Sequence, residues 1–144
     1  MRLYTIGFTK KSAEQFFELL RKSGAKRLVD VRLNNTSQLS GFAKKDDLAF
    51  FAKEVAGMEY VHLPELAPTQ ELLDAFRRDR NWAEYETAFL ALLKERHVED
   101  RLSQALIDQG CLLCSENRPH HCHRRLVADY LCERWGGGKV EHLV

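Results

Sequence analysis

Apolar and polar positions along this chain fall into short apolar runs separated by longer amphipathic stretches. "RLYTIGF" (Arg2 to Phe8) is a run of strand-forming residues bounded by Gly7, where the missing side chain permits a sharp turn or the close approach of a ligand. Ser12 stands three residues before Gln15, the spacing of a capping box, and Phe16, Phe17, Leu19 and Leu20 make the apolar face of a helix that stops at Gly24. "KRLVDVR" (Lys26 to Arg32) reads as a second strand, and a helix between two strands favours their parallel pairing.

The segment from Leu33 to Asp46 has turn chemistry and no sustained period, so it reads as a long loop, and loops of that length are often functional. "DDLAFFAKEVAG" has helical spacing up to Gly57, and "MEYVHLPEL" is a third strand ended by Pro64. Gln70 to Gln109 are mostly helix formers, with Trp82, Tyr85, Phe89, Leu92 and Leu93 at three- and four-residue spacing, enough for two or three helices. "CLLC" (Cys111 to Cys114) is a fourth strand, "RRLVADYLCERW" a closing helix and "KVEHLV" a last strand.

This alternation predicts an α/β sandwich, a single domain over residues 1–144 with a mostly parallel central sheet flanked by helices. Ligands of such sheets bind outside the carboxyl ends of the strands. Those ends are Gly7 to Thr9, Asp30 to Asn34, His62 to Glu65 and Cys114 to Glu116.

Composition narrows the function classes. Twenty-two Lys and Arg against twenty-one Asp and Glu leave a net charge of +1, which argues against extended contact with nucleic acid but not against one basic pocket. With no long apolar stretch and no leader pattern, the expectation is a soluble cytoplasmic protein with no membrane segment. At 44% hydrophobic the chain needs no covalent staple, so its four cysteines are expected to be free thiols.

The chemistry concentrates in "CLLCSENRPHHCHRRLVADYL" (Cys111 to Leu131), which holds three of the four cysteines, three of the six histidines and three arginines. A structural zinc is disfavoured, because Cys111 and Cys114 on one strand point to opposite faces. A phosphatase-type C-x5-R loop is absent, since His120 and Ala128 stand where its arginine would be. The remaining reading uses the start of the closing helix, where unpaired N–H groups favour an anion. Cys122 near that end, beside His123 and Arg124, is expected to have a depressed pKa and to serve as a nucleophile, with His123 or Glu116 moving protons. Arg124 and Arg32 are the candidate anion ligands, with Gly7 admitting the ligand. Asp30, costly inside a strand unless paired, is either a catalytic carboxylate or the partner of an arginine. Against these stands a plainer possibility: Glu116 pairs with Arg124 to order the loop and Cys122 packs into the core.

"YTIGFT", "LVDVR" followed by "SGF", "YVHLPEL" and "LLCSENRPHHCHRRLVADYL" together resemble the bacterial and archaeal family known as domain of unknown function 488. The resemblance spans nearly the whole chain and implies a compact α/β domain but no reaction. It places Gly7, Asp30, Arg32, Glu116, Cys122, His123 and Arg124 at the family's signature positions. The leading expectation is a small enzyme, a cysteine-dependent hydrolase or transferase, acting on or binding an anionic, phosphate-bearing small molecule or nucleotide without metal or cofactor. The alternatives are a noncatalytic nucleotide or nucleic-acid binding module and a structural or interaction domain.

Overall fold

The apolar runs become five strands: β1 (Arg2–Gly7), β2 (Arg27–Asp30), β3 (Glu59–His62), β4 (Gly110–Cys114) and β5 (Lys139–Leu143). The structure is a computed structural model that describes residues 1–35 and 41–144. Part of the loop expected from Leu33 to Asp46 lies outside the described residues. Its far end holds a short 3-10 turn at Gly41–Ala43, and the next helix already begins at Lys45.

Seven α-helices stand among the described residues: α1 (Ala13–Ser23), α2 (Lys45–Ala56), α3 (Gln70–Asp79), α4 (Trp82–Arg96), α5 (Val98–Arg101), α6 (Gln104–Ile107) and α7 (His123–Arg134). The start of α1 is the expected capping box: the Gln15 N–H donates to Ser12 Oγ at 3.1 Å and the Ser12 N–H to Gln15 Oε1 at 2.9 Å. Its end is Gly24, held at φ 78°, a left-handed conformation that glycine adopts without a side-chain clash. None of the described helices is long and apolar enough to cross a membrane.

All five strands are parallel, in the order β3-β2-β4-β1-β5. Alternation along the strands divides the core into two. Tyr4, Ile6, Leu28, Cys111 and Leu113 pack against α1 and α2 through Phe16, Phe17, Leu20 and Leu48. Leu3, Val29 and Leu112 face the other side, against Phe89 and Leu93 of α4 and Leu126, Val127 and Leu131 of α7. The sheet is therefore covered on both faces, as near-continuous apolar strands require.

This topology decides where a site can form. From β2 the chain moves outward to β3 through α2 on one face, whereas from β4 it moves the other way to β5 through α7 on the opposite face. β2 and β4 are neighbours whose outgoing connections diverge, so a crevice opens between their carboxyl ends. The register Gly7↔Cys114 and Asp30↔Leu113 brings β1 to the same edge.

Candidate functional site

Cys114 closes β4 on the α4/α7 side of the sheet, while Cys111, three residues earlier, is sealed in the opposite core, where burial pushes its thiol up. The loop after Cys114 leads to Cys122, the N-cap of α7, whose side chain makes no capping hydrogen bond. His123 opens α7 with its ring between the two strand ends. Its Nε2 lies 2.7 Å from the Val31 carbonyl oxygen and its Nδ1 lies 3.5 Å from Cys114 Sγ. A carbonyl only accepts, so Nε2 carries the hydrogen and donates to it. Nδ1 is thereby left facing the sulfur.

The electrostatics follow from this arrangement. Cys122 donates a thiol hydrogen bond to Cys114, and although burial opposes a charge, His123 and the nearby Arg124 guanidinium add to that bond and hold the Cys114 thiol well below its ordinary value. Burial together with the adjacent Cys114 pushes Cys122 well above it. For His123, burial works against protonation, but the Cys114 charge, its hydrogen bond and the Val31 carbonyl outweigh it and raise the imidazole. The depressed thiol expected at Cys122 is thus found at Cys114: the two sulfurs compete for one proton, and the one facing the imidazole loses it.

Arg124 is fully buried, and its partners are all neutral oxygens. It donates through Nε to Thr5 Oγ1 at 3.3 Å, through Nη1 to the Glu116 carbonyl and through Nη2 to the Asn117 carbonyl at 3.3 Å. It ties the 115–117 turn to β1 and does not line the pocket, so its position differs from that of the anion ligand expected from the sequence. The expected loop-ordering role is present, but through the Glu116 main chain; the Glu116 side chain is exposed at the pocket rim. Gly7 belongs to the same knot. A Cβ there would lie 1.5 Å from the Glu116 carbonyl oxygen and 2.9 Å from Arg124 Nη1, so what the missing side chain admits is the protein's own backbone.

Asp30 and Arg32 form a buried ion pair: Arg32 Nε donates to Oδ1 at 2.9 Å and Nη2 to Oδ2 at 2.8 Å. The Tyr60 hydroxyl adds a bond to Asp30 Oδ2 at 2.5 Å, and burial and the Asp30 carboxylate hold that phenol raised. The Asp30 carboxylate, fully buried and bonded on both oxygens, acts here as a partner for arginine. Arg32 is only 3% exposed and lies over the Phe8 ring, yet its Nη1 has no hydrogen-bond partner among the described residues. Arg32 is one of the residues lining a cavity of about 310 Å³.

Cys114, Cys122 and His123 form the floor of this cavity. Phe76, Trp82, Tyr85 and His121 make an aromatic side, with the His121 ring stacked on Trp82 at 5.0 Å. Arg77 and Arg80 stand beside Arg32 as further cations. An adjoining groove of about 390 Å³ shares Arg80, Glu116 and His121 and adds Lys10, Arg118 and His120. Sequence reasoning read Trp82 and Tyr85 only as part of a helical spacing and did not make Cys114 or Arg80 a candidate site residue. The position of Cys114 at a strand's carboxyl end was the available signal; nothing local marked the helix α3 to α4 turn as a pocket wall.

Cys114, Cys122 and His123 also have their donor atoms within 4.8 Å of one another, a set of types that can bind a thiophilic cation. Two features oppose it: the thiols are already hydrogen-bonded to each other, and the buried Arg124 guanidinium beside them repels a cation. A more exposed trio, His97, Glu99 and Asp100, lies elsewhere.

No curated protein and no solved structure matches this chain. Residues 12–131, from the capping box of α1 to the middle of α7, match a family model, and the chain therefore belongs to the family described as domain of unknown function DUF488.

Proposed function

We propose that this protein is a cysteine-dependent enzyme, a hydrolase or transferase, that acts on an anionic, phosphate-bearing small molecule of nucleotide size. The observation that carries the reading is Cys114 Sγ facing His123 Nδ1 at 3.5 Å on the floor of a pocket, with the imidazole oriented by its Nε2 bond to Val31. A thiolate paired with an oriented imidazolium is an activated nucleophile with a general acid beside it. Cys114 replaces Cys122 as attacking group; Cys122 supports the thiolate by donating to it. His123 keeps the proton-handling role expected of it, while Glu116 lines the same cavity but its side chain is exposed and makes no hydrogen bond to the buried cluster among the described residues.

The anion preference rests on Arg32. Its buried, unpaired Nη1 requires an acceptor, and a phosphate or carboxylate oxygen meets that need with a charge-assisted bond. Asp30 and Tyr60 position the guanidinium. Arg80 adds support of another kind: it caps α3 in the left-handed region at φ 55°, where an L side chain is strained and glycine would be cheaper. An arginine in that position sets a cation at the mouth shared by both cavities. The aromatic side suits a flat ring, and the basic groove suits a trailing phosphate.

The test is alkylation of the native protein with iodoacetamide across pH, followed by peptide mass spectrometry, with and without nucleoside monophosphates or inorganic phosphate. The expected result is fast modification of Cys114 near neutral pH, slowed by a phosphate-bearing ligand. Modification of Cys114 only after unfolding would refute the proposal. Ligand binding that survives Cys114→Ser and falls steeply with salt would favour the noncatalytic binding reading instead.

A further inference from the structure

The catalytic reading uses one sulfur, but the pocket floor presents two. Cys122 is 2% exposed and Cys114 5%, both line the same cavity, and their sulfurs lie within 4.8 Å and share a hydrogen bond. Cys122 is the N-cap of α7, at the start of the helix, and its side chain makes no capping hydrogen bond. The segment between them, from Ser115 to His121, has no regular secondary structure; its 115–117 part is held to β1 through Arg124, while Cys114 and Cys122 stand at its two ends. We propose that Cys114 and Cys122 are a redox-active dithiol that reduces a small hydroperoxide and is left as a Cys114–Cys122 disulfide, an activity that rests on the same Cys114 nucleophile assigned above.

The steps balance with the peroxide as the named oxidant. The Cys114 thiolate attacks the near oxygen of ROOH; the O–O bond breaks, the sulfur becomes a sulfenic acid, and the departing RO⁻ takes the Nδ1 proton of the His123 imidazolium to leave as ROH. The Cys122 thiol then attacks the Cys114 sulfur, the S–O bond breaks, and the hydroxide leaves as water with the Cys122 proton. Two electrons pass from the dithiol to the peroxide, and two molecules of an external thiol, or one dithiol, return them through a mixed disulfide. Burial selects the oxidant: sulfurs this enclosed admit a small molecule from the pocket but not a protein disulfide. Cys132 and Cys111 do not line the pocket.

The experiment treats the reduced, folded protein with one equivalent of hydrogen peroxide, quenches it, and counts thiols and maps peptides by mass spectrometry. The expected result is loss of two of the four thiols, a Cys114–Cys122 linked peptide, and full return of both thiols with dithiothreitol. Cys122→Ser keeps a hydrogen-bond donor but removes the second sulfur, so its oxidation should stop at a Cys114 sulfenic acid that a 1,3-dione reagent traps. Oxidation of Cys132 ahead of Cys114, over-oxidation of Cys114 with Cys122 still a free thiol, or no reaction in the folded state would overturn the inference. Alkylation separates it from the enzyme reading. Fast alkylation of Cys114 without a cross-link overturns the dithiol alone, whereas a Cys114 inert to both reagents overturns both.

Discussion

Gly7→Ala puts the knot behind the site under direct load. The added Cβ would sit 1.5 Å from the Glu116 carbonyl oxygen and 2.5 Å from its carbon, where real contacts essentially never fall below 3.0 Å. The carbonyl must retreat by at least as much again as the present gap, and it cannot do so alone. It accepts the Arg124 Nη1 bond, and the preceding carbonyl, of Ser115, accepts the Thr9 N–H at 3.1 Å. Forcing an extra carbon into a packed position costs about 1–3 kcal/mol. Weakening a hydrogen bond from a buried guanidinium costs about 1.5–3 kcal/mol more. The expected loss is therefore about 2.5–6 kcal/mol, a large part of the ~5–15 kcal/mol that holds a typical domain together. Because Gly7 pairs with Cys114 in the sheet register, the shift also reaches the nucleophile. Urea unfolding of both proteins measures the stability difference, and iodoacetamide kinetics on the folded fraction measures the second effect. A loss below about 1 kcal/mol with unchanged Cys114 alkylation would refute the reasoning.

Other outcomes follow from the same geometry. The alkylation rate of Cys114 should hold nearly constant as pH falls from 9.0, the ordinary thiol value, and drop only as pH passes through the lower folded-state value, because the rate follows the thiolate fraction; a profile centred on 9.0 counts against the ion pair. In His123→Ala the profile should move back toward that ordinary value, with alkylation at pH 7 slowed about tenfold for each unit by which the pKa comes to exceed 7. Asp30→Asn leaves Arg32 without its carboxylate partner and should cost about 3–5 kcal/mol in urea unfolding while weakening phosphate protection of Cys114. Arg80→Gly should act in opposite directions, stabilising the α3 cap by about 1 kcal/mol in thermal unfolding while reducing protection by phosphate; unchanged protection would remove Arg80 from the anion site.

Local rules carried the fold a long way. Each strand expected from an apolar run is a strand, with ends moved by a residue or a few: the run read from Lys26 to Arg32 is a strand only from Arg27 to Asp30, although the Val31 N–H still donates to the Leu113 carbonyl, and Arg32 beyond it lines the crevice. The capping box at Ser12 and the stop at Gly24 are encoded within a few residues and were legible for that reason. The parallel sheet followed from alternation, and every pair proved parallel. Strand order was not legible, since the insertion of β4 between β1 and β2 depends on contacts between residues more than eighty positions apart.

The site shows the same division. The sequence by itself determined that thiols, imidazoles and guanidinium groups crowd the segment from Cys111 to Leu131, that Asp30 and Arg32 stand at a neighbouring strand end, and that Cys111 and Cys114 face apart. Residue types and the two-residue period of a strand suffice for those statements. Which cysteine loses its proton, which arginine meets the ligand and what fills the space at Gly7 were decided only by tertiary structure. Arg124 and Arg32 have the same chemistry, but one is enclosed by the 115–117 turn and the other lines the cavity and keeps a donor unpaired among the described residues. Cys114 and Cys122 differ in the direction of one imidazole nitrogen, set by a carbonyl at Val31, ninety-two residues from His123. Charge and proton affinity depend on distances of a few ångströms, and those distances exist only after β2, β4 and α7 have come together.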